Sequence, residues 1–345
     1  MRADRTTGKA AVPSALAELT DDQLAQLVAK APLIHSGIGG SSVRASLGGE
    51  AVFVKRLPLT DLERRADNIG STRNLYGLPP DFHYGIGSAG FSAWRELAAY
   101  RRMSDAAAVP LVVPELHHWR VLERPPPPRA EWNSAPAIGP WRASHAIGER
   151  LAALAGASAQ LVLCSQLLPQ DLHSWLEDQV AAGTIDACVE RVDAQLRGGV
   201  AALRAEGIMH FDTHFKNVVT DGQQLYFADF GLACATWFEL SADEQVFLDC
   251  NANHDETYVV THLVNWLVTA LAGTPSRPAR LEYIERCARR GEASGLTGAV
   301  AELVHRYAPV AAILNRFYSA MLEGRRPGYP RAELADAWSG TGLSS

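Results

Sequence analysis

The segment from residue 207 to residue 231 reads GIMHFDTHFKNVVTDGQQLYFADFG. Two short β-prone runs, residues 218–219 and 225–228, stand on either side of the pair Asp221-Gly222. Asp-Gly between two such runs is the strongest short-range signal for a tight hairpin turn. The segment therefore predicts a β-hairpin.

The predicted hairpin brings three polar side chains together at one end. Asp212 and Asn217 precede its first strand, and Asp229 follows its second strand. Together they offer two oxygen ligands suited to Mg²⁺ and one carboxylate able to accept a proton from a hydroxyl group. These are the groups that phosphoryl transfer requires.

The order and spacing of these residues resemble the catalytic loop and metal loop of the protein-kinase-like superfamily, which includes Ser/Thr protein kinases and the aminoglycoside phosphotransferases. The resemblance rests on His210 to Asn217 and on Asp229-Phe230-Gly231. It implies that Asp212 is the catalytic base, that Asn217 holds one Mg²⁺ and that Asp229 bridges Mg²⁺ to the phosphates of ATP. It also implies an α+β, bilobal fold, with a small N-lobe of antiparallel sheet plus a helix and a larger, mainly helical C-lobe.

The composition is that of an ordinary globular protein, with 47% hydrophobic and 20% charged residues in 345 positions, enough for two lobes. The net charge of −6 argues against general binding to nucleic acid or to an acidic membrane surface. The five cysteines are scattered and contain no Cys-x-x-Cys pair, which predicts reduced thiols and no zinc site. No apolar signal-peptide core follows the N-terminus, so we expect a cytoplasmic protein.

The N-terminal part predicts nucleotide-binding elements. Residues 13–30 have the pattern of one or two short amphipathic helices, with Thr20 or Asp21 able to cap the second. A Gly/Ser-rich turn at residues 35–43 then leads into a predicted strand at residues 51–57.

By resemblance, that turn is the phosphate-binding loop of the family and the strand carries its lysine. Ser42 stands where the family has a third glycine, which is a departure from the strict pattern. The residues that the resemblance assigns to ATP here are Gly37, Gly39, Ser41, Ser42 and Lys55.

The family pairs its strand lysine with a glutamate on a helix, and two residues are candidates. Glu96 lies in a predicted helix at residues 91–103, whereas Glu63 is closer to Lys55 in sequence. We favour Glu96, which implies an insertion at about 67–90. The aromatic residues of this insertion favour an ordered segment, and a position over the active site is a hypothesis.

The rest of the chain predicts the remaining parts of the fold. Strands are expected at 109–114 and 117–122, and a second, proline-rich insertion at about 124–142. After the strand that begins at Leu161, the hinge of the family would hold the adenine ring with backbone atoms near Cys164 and Gln166. The predicted domains are a helical extension at 1–30, an N-lobe at 31–163 and a C-lobe at 164–345.

A nearly all-apolar segment at residues 258–273 is too short to span a bilayer and carries His262 and Asn265. It predicts a helix buried in the C-lobe core. Asp255, or alternatively Asp249, would brace the catalytic loop from the start of this helix.

The acceptor is less well defined than the reaction. Phe211, not Arg, precedes Asp212, His214 follows it by two residues, and the segment after Gly231 is short and lacks Ala-Pro-Glu. These features favour a small hydroxylated acceptor such as an antibiotic or a metabolite. The complete Asp-Phe-Gly keeps a Ser/Thr protein kinase as an alternative, and a non-catalytic, nucleotide-binding pseudokinase scaffold is the third reading.

Overall fold

A computed structural model of the protein describes residues 11–106, 112–133, 144–274 and 276–343. These residues form an α+β fold with a five-stranded antiparallel sheet, two smaller antiparallel sheets and eleven α-helices. The strands are β1 (Leu33–Gly37), β2 (Gly40–Leu47), β3 (Glu50–Leu59), β4 (Leu116–Leu122), β5 (Ala159–Gln166), β6 (Gln170–Asp171), β7 (Ile208–Met209), β8 (Val218–Thr220), β9 (Leu225–Phe227) and β10 (Cys234–Ala235). The helices are α1 (Ala11–Glu18), α2 (Asp21–Lys30), α3 (Ala93–Asp105), α4 (His145–Ala155), α5 (Leu172–Ala181), α6 (Ile185–Ala205), α7 (Ala242–Cys250), α8 (His254–Leu271), α9 (Arg277–Arg290), α10 (Gly298–Leu322) and α11 (Arg331–Ser339).

The chain divides into two compact units. The first runs to Leu168 and also includes Phe230–Leu232 and Phe238–Ser241. The second contains the rest, beginning at Pro169.

The five-stranded sheet of the first unit has the strand order β1-β2-β3-β5-β4. The helices α1 and α2 pack against it, where the sequence predicted one or two short helices at 13–30. Thr20 caps α2 by accepting a hydrogen bond from the backbone of Gln23, whose side chain bonds back to Thr20, which makes a capping box. Leu16, Leu24 and Val28 bury their side chains in the same apolar cluster as strand residues of β2, β3 and β5.

Two other predictions for this unit have different outcomes. A strand was predicted at 109–114, but residues 109–111 lie outside the described residues. The described part of that range, residues 112–114, forms no strand. Pro114 has no backbone N–H to give to a sheet, and the strand β4 begins only after it. Of the proline-rich insertion, residues 134–142 lie outside the described residues, and a short 3₁₀ helix occupies Ala130–Asn133.

A buried ion pair connects α4 to the start of α3 in the first unit. Arg150 Nη1 lies 3.0 Å from Glu63 Oε2, and both side chains are almost fully buried. The other carboxylate oxygen of Glu63 accepts the backbone N–H of Ala93, the first residue of α3, at 3.0 Å. Burial alone would raise the pKa of Glu63, but Arg150 and the hydrogen bonds from Thr60 hold it below its usual range.

The second unit is mainly helical and is built around α8. This helix buries most of its residues, as the apolar segment predicted, and α6, α9, α10 and α11 pack against it. One stripe, with Tyr258, His262 and Asn265, is only half-buried. In the described part of the chain, no helix is both long and apolar enough to cross a membrane.

The predicted hairpin is present in the second unit. The strands β8 and β9 pair in antiparallel register, with Val218 opposite Phe227 and Thr220 opposite Leu225. Asp221 accepts backbone N–H groups of Gln223 and Gln224 and so closes the turn.

We predict that Arg150→Met destabilises the protein by about 3–5 kcal/mol, because it leaves the carboxylate of Glu63 buried without its charged partner. Equilibrium unfolding in urea measures this change. The matched control is Arg64→Met, which removes an ion pair between Arg64 and Glu123 at the surface and is expected to cost less than about 1 kcal/mol. Equal losses in the two variants would contradict a special role of the buried pair.

Candidate active site

The hairpin of the second unit brings two of the three predicted catalytic-loop residues into direct contact. Asn217 Nδ2 donates to Asp212 Oδ2 at 2.9 Å and to the backbone oxygen of Asp212 at 3.0 Å. The backbone oxygen of Asn217 accepts the N–H of Ala228 at 2.8 Å, at the base of the hairpin. Asp229 is the next residue, so all three predicted side chains lie at the same end of the hairpin.

Two residues of this site have a strained backbone. Among the described residues, Phe211 (φ 62°) and Asp229 (φ 67°) are the non-glycine residues with positive φ. Such a conformation costs about 1–3 kcal/mol per residue and persists only where the surroundings enforce it, typically at functional sites. Phe211 directly precedes Asp212, and Asp229 is itself a predicted metal ligand. The strained backbone therefore occurs in the two loops in which the sequence predicted functional residues.

Asp255, at the start of α8, holds the backbone of the predicted catalytic loop. Its carboxylate accepts the backbone N–H groups of His210, at 2.5 Å, and of Phe211, at 2.8 Å. Burial alone would raise the pKa of Asp255, but hydrogen bonding and the charges of His254 and His210 hold it below its usual range. Of the two candidates for a brace, Asp255 is therefore the one that contacts the loop.

His210 has a structural position between the catalytic loop and the hairpin. Its buried imidazole accepts the backbone N–H of Asp212 through Nδ1, at 3.3 Å. This leaves Nε2 to donate to the backbone oxygen of Ala228, at 3.1 Å. The ring thus fixes the segment before Asp212 to the segment before Asp229.

The electrostatic environment of Asp212 suits a base that remains reactive. Burial raises its pKa, His214 opposes that effect, and the negative charge of Asp229 raises the pKa further, so that the net shift is upward. His214 Nε2 lies 3.7 Å from Asp212 Oδ1, and the Asp212 side chain keeps 23% of its surface exposed. A carboxylate in these surroundings holds a proton more readily than an ordinary aspartate does.

In the first unit, Lys55 of β3 contacts Glu96 of α3, with 2.6 Å between Nζ and Oε1. Only 13% of the lysine side chain and 3% of the glutamate side chain are exposed. Glu96 lies in the first turn of α3, which the hydroxyl of Ser92 caps by accepting the N–H of Trp94. Glu63, the alternative partner, is engaged with Arg150 instead.

The predicted phosphate loop is a tight hairpin between β1 and β2. Gly37 pairs with Gly40, and the turn consists of Ile38 and Gly39. A Cβ atom on Gly39 would meet nothing within 4 Å, so this backbone is open to a close approach. Trp132 Nε1 donates to the backbone oxygen of Ile38 at 2.8 Å and fixes the tip of the turn.

The two predicted serines have different surroundings from those expected of free phosphate ligands. Both are buried in β2, where Ser42 is paired with Lys55 and the Ser41 hydroxyl accepts from Arg56 Nε at 2.9 Å. Gly40, which the sequence did not single out, is the constrained glycine of this loop. Its φ is 136°, and a Cβ there would stand 2.4 Å from the backbone oxygen of Arg56.

The predicted hinge residues lie within the sheet. Cys164 is in β5, paired with Val54 on one side and His118 on the other, and its thiol is buried, which raises its pKa to about 12. The backbone N–H of Gln166 donates to the oxygen of Glu115 at 2.8 Å. Because sheet pairing uses these backbone groups, the first residues available for a hinge are those that follow Gln166.

The predicted insertion at 67–90 is an ordered series of turns with a 3₁₀ helix at Pro80–Tyr84. Its His83 is fully buried, stacks on Phe91 at 3.8 Å between ring centroids, and lies with Nδ1 2.7 Å from the backbone oxygen of Leu232. The insertion therefore contacts the residues that follow the metal loop.

Glu239 provides a second attachment of the same kind. Its carboxylate accepts the Ser71 hydroxyl at 2.9 Å and the backbone N–H of Thr72 at 3.1 Å, and its own N–H donates to the Thr72 hydroxyl at 2.8 Å. A Cβ on Gly90 would stand 2.7 Å from the backbone oxygen of Gly231, so the two segments touch closely there too. We call residues 67–90 the clamp, because they hold the segment after Asp229.

The metal-binding prediction depends on few protein ligands. In the ranges that the structure describes, no group of three or more His, Cys, Asp or Glu side chains is arranged to hold a metal ion. Asn217 and Asp229 would supply one amide and one carboxylate oxygen. That donor set fits Mg²⁺, which usually retains waters and shares its remaining ligands with substrate phosphates.

Comparisons with known proteins do not add to this picture. No protein-family model matches the chain, and no curated protein matches its sequence. The assignment of function therefore depends on the residues and the geometry described above.

We predict that Asp255→Ala lowers the free energy of unfolding by about 2–5 kcal/mol, because two buried backbone N–H groups lose their acceptor. Because the folded-state pKa of Asp255 is lowered, its contribution exists above the unfolded-state pKa and is lost as the pH falls through the folded-state value. The difference in free energy of unfolding between Asp255→Ala and wild type is therefore expected to have its full size at about pH 7 and to become smaller below about pH 4. Urea unfolding across this range measures it.

The control for this prediction is Asp249→Ala, at the other candidate position. Asp249 is exposed near the end of α7, and its carboxylate accepts a hydrogen bond from the side chain of Gln245. We expect a change within about 0.5 kcal/mol there. A loss at Asp249 as large as that at Asp255 would show that the brace has been assigned to the wrong residue.

Proposed function

We propose that the protein is an ATP-dependent phosphotransferase of the protein-kinase-like superfamily, which transfers the γ-phosphate of ATP to a hydroxyl group of a small molecule. The observation that carries the proposal is the hydrogen bond between Asn217 and Asp212 in a strained loop, directly beside Asp229. A carboxylate of raised pKa next to two oxygen ligands for Mg²⁺ is the equipment of this reaction.

Each residue has a role in the proposed reaction. Asp212 accepts the proton of the attacking hydroxyl and orients that oxygen toward the γ-phosphorus. Asn217 and Asp229 hold Mg²⁺, which would neutralise charge on the phosphate oxygens. Lys55, kept in place by Glu96, contacts the α- and β-phosphates, and the turn at Gly39 leaves room for phosphate close to its backbone.

The composition of the two units supports the same proposal. A small antiparallel sheet with α3 and a Lys55–Glu96 pair is what the nucleotide-binding lobe of this superfamily would need. A helical unit that carries the catalytic hairpin above a buried helix is what the second lobe would need.

A Ser/Thr protein kinase is the second candidate, and the complete Asp229-Phe230-Gly231 followed by Leu232-Ala233 favours it. The clamp argues for the small-molecule acceptor instead, because it already attaches Leu232 and Glu239 without a phosphorylated residue. A non-catalytic scaffold would keep the ATP site but have no use for a base of raised pKa.

We predict that Asp212→Asn abolishes ADP release that depends on an acceptor, with a loss of at least about 100-fold, while ATP still binds. Calorimetry for binding and a coupled assay for ADP measure the two effects. In wild type, activity is expected to fall on the acid side at a pH above the usual aspartate value of about 4, because the pKa of Asp212 is raised. Asp243→Asn, an exposed carboxylate of α7, is the control and should keep full activity.

The same variant tests the electrostatics of the site. Because the folded-state pKa of Asp212 is raised, its stabilising contribution is present below the unfolded-state pKa and is lost as the pH rises. Near neutral pH, Asp212→Asn should therefore be at least as stable as wild type. Turnover by Asp212→Asn at the wild-type rate would refute the catalytic role of Asp212. Tight ATP binding by the wild-type protein without any turnover would favour the non-catalytic scaffold.

We predict different outcomes for two neighbouring glycines of the phosphate loop. Gly39→Ala should leave stability within about 0.5 kcal/mol of wild type, since nothing surrounds its Cβ, but should raise the KM for ATP. Gly40→Ala should destabilise the protein by more than about 1 kcal/mol, because its Cβ would collide with the backbone of Arg56. Thermal unfolding and steady-state kinetics separate the two. An unchanged KM in Gly39→Ala would contradict phosphate binding at this turn.

A further inference from the structure

A row of aromatic and imidazole rings in the second unit ends at the proposed base. Tyr258 and His262 stand one turn apart on α8, with their rings nearly parallel and 6.1 Å between centroids. The ring of His214 lies 6.4 Å from that of His262, and His214 Nε2 is 3.7 Å from Asp212 Oδ1. At the other end of the row, Tyr318 of α10 makes an edge contact with Tyr258 at 5.6 Å.

These rings are surrounded by protein but are not closed off from solvent. Tyr258, His262, His214 and Tyr318 all keep part of their surface exposed. Burial nevertheless raises the pKa of Tyr258 and lowers that of His262 to about 3. Part of each ring is therefore accessible to a ligand although protein surrounds most of it.

The charges around the row are also informative. His262 is neutral near neutral pH, and the groups that act on it electrostatically are His214, Arg280 and His173, all of them basic. The carboxylates that act on Tyr258 are those of Asp212, the proposed base, and Asp255, which is occupied by backbone N–H groups. The wall beside the base therefore contains one neutral imidazole, His262, with basic neighbours.

We propose that this ring row, Tyr258, His262, His214 and Tyr318, is the acceptor-binding wall, and that the acceptor is a hydroxyl compound that carries a planar ring. The inference rests on the proposed function and specifies its substrate class. The faces of Tyr258 are covered by His254 and His262, so a planar ring would gain contact area and favourable edge-to-face contacts against the exposed edges of the row. A hydroxyl on that ring would reach Asp212 at the end of the row. A ring face also attracts a single cation, but the guanidinium of Arg280, which acts on His262, disfavours a compound with several positive charges, such as an aminoglycoside.

The test measures binding and turnover with defined probes. The ring-bearing probes are 4-hydroxybenzyl alcohol and uridine, the polycationic probe is kanamycin, and the ringless probe is glycerol. Ligand-observed NMR with the whole protein reports binding, and ADP release with ATP and Mg²⁺ reports turnover. We expect at least one ring-bearing probe to bind, and neither kanamycin nor glycerol to do so.

Variants locate the binding to the wall. Tyr258→Leu and His262→Leu should weaken the ring-bearing probe at least fivefold, whereas Tyr258→Phe, which keeps a ring, should retain binding. Tyr226→Leu removes a partly exposed ring of β9 outside the row and should leave binding unchanged. A thermal unfolding transition shows whether each variant is folded. If a leucine variant is not folded, binding by Tyr258→Phe is compared with binding by wild type instead.

The outcomes distinguish this inference from the proposed function. Phosphorylation of kanamycin or of casein that is lost in Asp212→Asn would overturn the ring-bearing acceptor and leave the phosphotransferase in place. Failure of both ring-bearing probes to bind, or equal binding by the leucine variants, would also overturn it. Absence of ATP binding in wild type would overturn the proposed function itself, whatever the NMR result.

Discussion

The hydrogen bonds from the backbone of His210 and Phe211 to the carboxylate of Asp255 are the interaction on which the candidate site depends. They hold Phe211 at a φ of 62°, and that turn of the backbone places Asp212 where Asn217 can bond to it. Asp255 lies in the first turn of α8, a helix most of whose residues are buried. The packing of the second unit therefore supports the geometry of the proposed catalytic loop, and the charged hydrogen bonds to Asp255 help to offset the strain of that loop.

Three carboxylates of this protein, Glu63, Asp255 and Asp212, differ according to their partners. Glu63 and Asp255 have their oxygens occupied by an arginine or by backbone N–H groups, and the pKa of each is lowered despite burial. Asp212, whose side chain keeps 23% of its surface exposed, has weaker partners, and its pKa is raised. A carboxylate with satisfied oxygens stabilises the fold, whereas one that is only partly satisfied retains the capacity to accept a proton. This distinction supports Asp212 as the proposed base.

The features that could be predicted from sequence are those with local signals. The hairpin follows from Asp221-Gly222 between two β-prone runs, and the capped helix α2 from Thr20, because turn and cap residues act within a few positions. The pair of Lys55 with Glu96 followed from the family resemblance. The tight contact of Gly40 with Arg56, the enclosure of Cys164 within the sheet and the clamp on Leu232 depend on segments far apart in the chain. Neighbouring residues contain no local signal for such contacts, so these contacts could not be predicted from the sequence.

The clamp bears on how such an enzyme would be controlled. In many protein kinases, the segment after the metal loop becomes ordered only when a phosphorylated residue pairs with arginine, and this makes the segment a switch. Here Glu239 is bonded to Ser71 and Thr72, and the backbone of Leu232 to a fully buried His83, so ordinary side chains already hold the segment at two points. The residue before Asp212 is Phe211, which packs against Phe247 and His254 in the core and offers no charge for a phosphate. A metal loop attached in this way has no need of a phosphorylation switch, which favours an enzyme that is ready whenever its substrates are present over a kinase that waits for a signal.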